Sequence, residues 1–226
     1  MITLIGVDLG QSQDYTAISV IEATPTVYEQ TVPGTDPEYR RLTKSTHTFE
    51  GTPVSFAARH LERILGAPYP DVVRRIVALR QAIGGDPLLV VDYTGCGRPV
   101  VDMIRESGLD PIAITITGGD TVTREGMDLR VPKRDLVGAL VVALQTGRLK
   151  IARSLPDADT LITELLNFRV KISTGGHDSY EAWREGQHDD LVLSVGLAVW
   201  TGEYLYSHSP ERVVFTDDSE YLISPI

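Results

Sequence analysis

The chain has 226 residues, 42% hydrophobic and 23% charged, which suits one large globular domain or two small ones. The formal net charge of −10 argues against strong non-specific binding to nucleic acid, because affinity for a phosphate backbone comes mainly from Lys and Arg. A single cysteine, Cys96, excludes an internal disulfide, and no apolar stretch reaches the roughly 20 residues that span a bilayer.

The first third of the chain begins with strand patterns. Residues 1–9 and 15–23 are apolar and β-branched, and the polar turn between them predicts a β-hairpin. A third strand is expected within 27–49, where prolines and a glycine mark a turn. Apolar residues spaced by three and four then predict helices over 54–65 and 71–83.

The middle of the chain has the pattern of a βαβ unit with parallel strands. The apolar run 88–91 ends at Asp92 and a glycine-rich turn. A helix is expected over 99–106 and a second strand over 111–117. The stretch 118–131 is interpreted as a loop.

The C-terminal half is expected to be mainly helical. Amphipathic patterns predict helices over 132–146 and 157–168, and a last helix is expected over 188–204. A short strand is expected over 148–151. A hairpin is expected between 170–173 and 179–183, on either side of a glycine pair.

Two aspartates occupy equivalent places at the ends of apolar strands. Asp8 ends the first strand and Asp92 ends a later one, each shortly before a glycine. If the two strands are neighbours, these carboxylates emerge side by side, and Asp189 and Asp190 at the start of the last helix could face them. Such a group suits Mg²⁺ or Mn²⁺, and two ions could activate a water and stabilise the leaving oxygen of a phosphodiester. Turn and helix-capping roles suit the same residues, so both interpretations stay open at this point.

Several blocks of sequence together resemble the nuclease domain of phage terminase large subunits. They are GVDLG around Asp8, DYTAISV from Asp14, VVDYTGCGRPVVDMI from Val90, VPKRDLVGALVVALQTGRLKI from Val131, LITELLNFRVKI from Leu161 and HDDLVLSVGLAVW from His188. The resemblance runs in order over about residues 2–204. It implies an α/β fold of the ribonuclease H-like kind, a mixed β-sheet with antiparallel N-terminal strands flanked by helices. The nuclease domain would cover 1–205 and a C-terminal extension 206–226.

The same resemblance implies the site residues and the cofactor. The catalytic residues would be Asp8, Asp92 and Asp190, and the metal ligands would be Asp8, Asp92, Asp189 and Asp190, holding two Mg²⁺ or Mn²⁺ ions. His188 and Asp14 are auxiliary candidates. Many relatives carry a further aspartate where this chain has Leu193, so a fourth ligand must come from Asp189, His188 or the hairpin loop.

Basic residues near these blocks are candidates for contacts with DNA. They are Arg124, Arg130, Lys133, Arg134, Arg169, Lys171 and Arg184. The alternative is that they are solvated charges, partly offset by acidic neighbours such as Asp120. The resemblance implies that the substrate is double-stranded concatemeric phage DNA, cut during packaging in the host cytoplasm. The implied partners are a terminase ATPase domain, the small subunit and the portal, with no membrane involved.

Other functions remain open from the sequence. The chain has no G-x-x-x-x-G-K-[ST] phosphate loop, so it is either an excised nuclease domain or a free-standing relative, such as a nuclease similar to Holliday-junction resolvases. The strand, Asp8 and Gly10 turn, followed by Thr16, also resembles the phosphate-binding hairpin of actin-like ATP-binding proteins. A third interpretation is a ribonuclease H-like module that has lost its metal and only binds partners.

Overall fold

The computed structural model describes residues 1–10, 14–26, 28–33, 42–47, 53–95, 97–174, 189–207 and 214–215. The elements of its first half are β1 (Ile2–Asp8), β2 (Tyr15–Pro25), β3 (Tyr28–Pro33), β4 (Leu42–His47), β5 (Val54–Leu65), α1 (Tyr69–Ile83), β6 (Leu88–Asp92), α2 (Gly97–Glu106) and β7 (Ile112–Thr117). Those of its second half are β8 (Thr123–Glu125), β9 (Asp128–Pro132), α3 (Lys133–Gln145), β10 (Leu149–Ile151), α4 (Ala158–Thr174), α5 (Asp190–Ser207) and β11 (Val214–Phe215). No helix in these ranges combines the length and the apolar character that crossing a membrane requires.

Within the described residues, eight strands form one mixed sheet in the order β10-β5-β2-β1-β6-β7-β9-β8. The hairpin partners β1 and β2 are antiparallel, and β2 is antiparallel to β5. From β1 the sheet continues in parallel through β6, β7 and β9. The predicted α/β fold of the ribonuclease H-like kind, with antiparallel N-terminal strands, is therefore confirmed. The strands β3, β4 and β11 pair in a separate small sheet.

Helices cover both faces of the large sheet, and the strand alternation assigns each side chain to a face. In β1, Ile5 and Val7 pack in the core with α1 and α2, whereas Leu4 packs in the core with α3, α4 and α5. The same alternation holds in β6, where Val91 faces α1 and α2 and Val90 faces α5. This alternation decides which face receives the side chains that follow at the strand ends.

The last helix, α5, is the centre of one core. It is buried at almost every position from Asp190 to Gly202, all round its circumference. It packs against β1, β2, β5 and β6 beneath it and against α3 and α4 beside it. A helix that is apolar all round is enclosed in this way, because exposing any side of it to water would cost free energy.

The helix predicted over 54–65 is wrong, because this stretch is the strand β5. Its buried residues alternate through Val54, Phe56 and Ala58, and then a bulge changes the register. Ala58 pairs with Ile21 and His60 with Val20, so Arg59 is the extra residue. The next buried residue is therefore Leu61, three positions after Ala58, and this spacing imitates that of a helix.

Three further differences concern loops and short strands. The hairpin expected at 170–173 is wrong, because α4 runs on to Thr174, and its second arm at 179–183 lies outside the described residues. The interpretation of 118–131 as a loop is also wrong, since β8 and β9 form a hairpin there. Where one strand was expected in 27–49, β3 and β4 form an antiparallel pair.

The helices expected over 71–83, 99–106 and 132–146 are confirmed within two residues at each end.

Candidate metal centre

Asp8 and Asp92 end neighbouring parallel strands at the same level. Val7 pairs with Val91 in the register of β1 and β6, so the two aspartates that follow them are adjacent, on strands about 4.8 Å apart. By the strand alternation both carboxylates project towards the face covered by α5. Both side chains are buried, at 7% and 5% exposure. The sequence expectation that these carboxylates emerge side by side therefore agrees with the register of the sheet.

Close packing of α5 on β1 brings Asp190 to the sheet edge that carries Asp8 and Asp92. A Cβ added at Gly6 would lie 2.0 Å from the carbonyl oxygen of Ser194, so only glycine lets the helix approach this closely. Gly202 lies against Ala23, which pairs with Ile2 at the start of β1, so α5 runs antiparallel to β1.

The lengths along the two elements also match. Asp190 lies four residues before Ser194, or about 6 Å along the helix. Asp8 lies two residues beyond Gly6, or about 6.6 Å along the strand. The first turn of α5 therefore lies level with the end of β1, and Asp190, 8% exposed, is buried there.

The loop after Asp92 is fixed by hydrogen bonds. The Thr94 amide donates to Asp92 Oδ1 at 2.7 Å, and the Thr94 hydroxyl accepts from the Ile116 amide at 3.0 Å on the neighbouring strand. Gly95 has a φ of 63°, which favours glycine at this position. Asp92 therefore has the turn-forming role that was one of its two interpretations. The hydrogen bond from the Thr94 amide also fixes its carboxylate at the edge of the sheet.

A fourth acid, Glu164 of α4, lies at the same place and was missed from the sequence. It is 5% exposed, and its Oε2 accepts hydrogen bonds from the amides of Leu191 and Val192 at 3.0 and 3.1 Å. Burial is the main cause that raises the pKa of Glu164 from 4.5 to about 7. The Val192 amide and the Arg63 guanidinium oppose this rise, whereas the negative charge of Asp190 adds to it.

Arg63 supplies positive charge beside these acids. Its Nη1 lies 3.5 Å from Glu164 Oε1, its Nε lies 3.9 Å from Asp157, and its guanidinium carbon stands 4.3 Å from the centre of the Tyr15 ring. In the sheet Arg63 pairs with Ala17, and Ala17 pairs with Asp8. Arg63 and Asp8 therefore belong to one row across the sheet.

The remaining predicted acidic candidates are placed less centrally. Asp189 is half-buried directly before α5, and its carbonyl accepts from the Leu193 amide at 3.0 Å. Asp14 is exposed in the bend before β2. His188 and Cys96 lie outside the described residues.

The chemistry of the donor set fits a hard divalent cation. Asp8, Asp92 and Asp190 offer carboxylate oxygens from three separate elements, which Mg²⁺ and Mn²⁺ prefer as ligands. Among the described residues, no three His, Cys, Asp or Glu side chains are already grouped closely enough to hold a metal ion. The backbone thus brings Asp8, Asp92 and Asp190 to one edge of the sheet. Their side chains would have to change rotamer to bind one ion together.

The basic candidates divide by position. The parallel strands β1, β6 and β9 end at the same edge of the sheet, so Lys133 and Arg134, at the start of α3, lie on the edge that carries Asp8. Arg134 forms an ion pair with Asp120 at 2.7 Å. Arg124 and Arg130 are exposed on the β8–β9 hairpin. The side chains of Arg169 and Lys171, in α4, and all of Arg184 lie outside the described residues.

The order of the sheet and the buried aspartates at its edge define the class: a ribonuclease H-like α/β domain with an acidic site at the ends of its central parallel strands. In sequence the chain is 24% identical over 194 residues to the terminase large subunit of Thermus phage G20c. This match covers 86% of this chain and 30% of that protein, so the chain spans less than a third of the relative's length. The resemblance to terminase large subunits is thereby confirmed. No profile of a known protein family matches the chain.

Two solved structures are also similar. The large terminase nuclease from thermophilic phage G20c, with bound zinc, has 23% identity and a TM-score of 0.49, over 87% of this chain and 79% of that one. The terminase nuclease domain of human cytomegalovirus, soaked in Mn, has 12% identity and a TM-score of 0.44, over 87% and 81% of the two chains.

Proposed function

We propose that the chain is a divalent-metal-dependent endonuclease that hydrolyses phosphodiester bonds in double-stranded DNA. The observation that carries the proposal is the placement of Asp8, Asp92 and Asp190 at one sheet edge, all buried, on three different elements. Carboxylates that share a buried edge repel one another when ionised, and a cation bound between them would offset that repulsion. The sequence similarity to a terminase large subunit supports the same conclusion.

In the proposed centre, Asp8, Asp92 and Asp190 hold Mg²⁺ or Mn²⁺, and Asp189 is a neighbouring ligand. The chemistry that two such ions would supply is the activation of a water and the stabilisation of the leaving oxygen of the phosphodiester. The protein residues fix the geometry. Asp92 is held by the Thr94 amide, and Asp8 and Asp190 are held by the packing of α5 on Gly6. No side-chain nucleophile is required.

The substrate and the partners follow from the same proposal. Lys133 and Arg134 lie on the edge that carries the aspartates and would contact phosphates, which positions DNA without reading its sequence. The net charge of −10 limits the affinity of the isolated chain for DNA. A terminase ATPase domain, the small subunit and the portal are the proposed partners that deliver concatemeric phage DNA.

The test is the cleavage of supercoiled plasmid with Mn²⁺ or Mg²⁺. We expect the wild-type chain to nick and linearise the plasmid, and Asp8→Asn and Asp92→Asn to abolish this, because each removes a charged ligand and keeps the shape of the side chain. Asp110→Asn is the matched control. Asp110 is exposed and precedes β7, at the opposite end of the sheet from Asp92, so its variant should cleave like the wild type.

Equal cleavage by the wild type and Asp8→Asn would refute the assignment. A strong preference for four-way junctions over linear duplex would favour a nuclease similar to Holliday-junction resolvases over a packaging nuclease. Binding of ATP without any cleavage of DNA would favour the actin-like interpretation.

A further inference from the structure

Glu164 makes an unusual contact for a carboxylate in a core. The residue belongs to α4, yet its Oε2 accepts hydrogen bonds from two backbone amides of α5, those of Leu191 and Val192. Both bonds are buried. The contact therefore joins two helices through the backbone of one of them.

The two amides belong to the first turn of α5, which begins at Asp190. The first four amides of a helix have no carbonyl partner within the helix, so they need an acceptor from elsewhere. Glu164 supplies that acceptor from a different helix, through its Oε2. The direction in which the first turn of α5 projects thus depends on where α4 holds Glu164.

The other oxygen of Glu164 faces Arg63. The Nη1 of Arg63 lies 3.5 Å from Glu164 Oε1, and Arg63 occupies the sheet row that also contains Asp8. The chain of contacts runs from β5 through the Glu164 carboxylate to the turn that carries Asp190. These contacts therefore link the sheet row of Asp8 to the helical turn of Asp190, two of the proposed ligands.

We propose that Glu164 is a positioning residue of the metal centre: it fixes the first turn of α5 so that Asp190 faces Asp8 and Asp92. The inference rests on the proposed function. Glu164 is not itself a ligand in this account, because one of its oxygens serves the two amides and the other faces Arg63. Partners that orient metal ligands through hydrogen bonds in this way typically account for about 10–100-fold in metal affinity or activity.

Two variants of similar shape separate the roles of Glu164. Glu164→Gln removes the charge but keeps an oxygen that accepts from the amides of Leu191 and Val192. Glu164→Met keeps the length of the side chain but removes the acceptor. Asp190→Asn serves as the reference for the loss of a ligand.

The measurements are the Mn²⁺ concentration that gives half-maximal plasmid cleavage and the Mn²⁺ dissociation constant by calorimetry. We expect Glu164→Gln to remain within about threefold of the wild type in both, and Glu164→Met to weaken Mn²⁺ binding by about tenfold or more. The maximal rate of Glu164→Met should recover at saturating Mn²⁺. The amides of Leu191 and Val192 should also exchange hydrogen faster in Glu164→Met.

Leu161→Ala controls for a general loss of stability. Leu161 is fully buried on the same helix, so its truncation should lower the melting temperature without changing the Mn²⁺ affinity of the folded protein. If Glu164→Gln loses cleavage as completely as Asp190→Asn, Glu164 is a ligand and the inference is wrong. Unchanged Mn²⁺ affinity in Glu164→Met also overturns it.

If Glu164→Met does not fold, Glu164→Gln still decides between positioning and ligation by its Mn²⁺ affinity. A failure of the proposed function would look different, since the wild type itself would then neither cleave DNA nor bind Mn²⁺. Faster amide exchange at Leu191 and Val192 would in that case still show that Glu164 holds the first turn of α5.

Discussion

Glu164 makes the stability of the metal-free fold depend on pH. Its pKa is raised from 4.5 to about 7 by burial in the folded protein, so the folded state holds a proton that the unfolded state releases. Its protonation therefore stabilises the fold fully below about pH 4.5, and this contribution is lost as the pH rises through about 7.

Glu164→Gln should remove this part of the pH dependence, because glutamine resembles the protonated acid. With EDTA present, we expect the variant to match the wild type in free energy of unfolding at pH 4, below the unfolded pKa of 4.5. At pH 8 it should exceed the wild type by about 1–3 kcal/mol. Urea unfolding at the two pH values measures the difference. A variant that is less stable than the wild type at pH 8 would show that the ionised carboxylate is the better partner for Arg63 and the α5 amides.

Single residues were predictable from the sequence where their role depends on local position. Asp8 and Asp92 follow apolar runs directly, so their places at strand ends could be inferred. Glu164 also left a signal, since it lies three residues after Leu161 and directly before Leu165, on the apolar face of its helix. Its partners Arg63 and Val192 could not be inferred, because that contact exists only once α4 and α5 have packed together.

At the scale of elements, the distance between α5 and β1 is set by a glycine. Gly6→Ala should destabilise the protein by about 1–3 kcal/mol, because its Cβ would lie 2.0 Å from a backbone oxygen of α5 and the helix must move away. Mn²⁺ affinity should fall as well, since Asp190 moves with the helix. Urea unfolding and calorimetry measure the two effects.

Gly138→Ala is the matched control. Gly138 lies within α3, where an added Cβ meets nothing within 4 Å, so alanine should stabilise this helix by up to about 1 kcal/mol. The prediction for Gly6 would be contradicted if both alanine variants changed stability in the same direction.

The elements whose pattern stays regular were predictable, and the irregular ones were not. The period of α1 and α3 is unbroken, and both were identified within two residues of their ends. The strand β5 was mistaken for a helix because the bulge at Arg59 shifts its period by one residue. The short strands β8 and β9 have too few residues to show a period. They are strands because β9 pairs with β7 and β8 pairs with β9.

At the scale of the whole molecule, a metal centre shared by β1, β6 and α5 should stabilise the fold. Mn²⁺ at about 100 times its dissociation constant should raise the free energy of unfolding by about 2.7 kcal/mol, because only the folded chain brings the ligands together. Thermal unfolding with and without Mn²⁺ tests this. Asp110→Asn should show the same increase and Asp8→Asn should not; an equal increase in Asp8→Asn would place the ion elsewhere.

The overall architecture was predicted through the resemblance of several sequence blocks to terminase nuclease domains, and the βαβ pattern of 88–117 predicted two of its parallel strands. The sequence did not show that α5 would be the most deeply enclosed helix, with β1, β2, β5 and β6 beneath it. The choice of that face depends on Gly6 and Gly202, because the absence of a side chain at each lets α5 approach the sheet closely.

The position of α5 late in the chain has a consequence for synthesis on the ribosome. Asp8 is made early, whereas Asp190 follows 182 residues later, which takes roughly 10–40 s at 5–20 residues per second. Until α5 emerges, the apolar face of β1 and β2 has no cover, and the acidic edge lacks its third member. A nascent chain therefore cannot complete the proposed metal centre before α5 has left the ribosome, and in that interval the apolar face of its sheet is exposed.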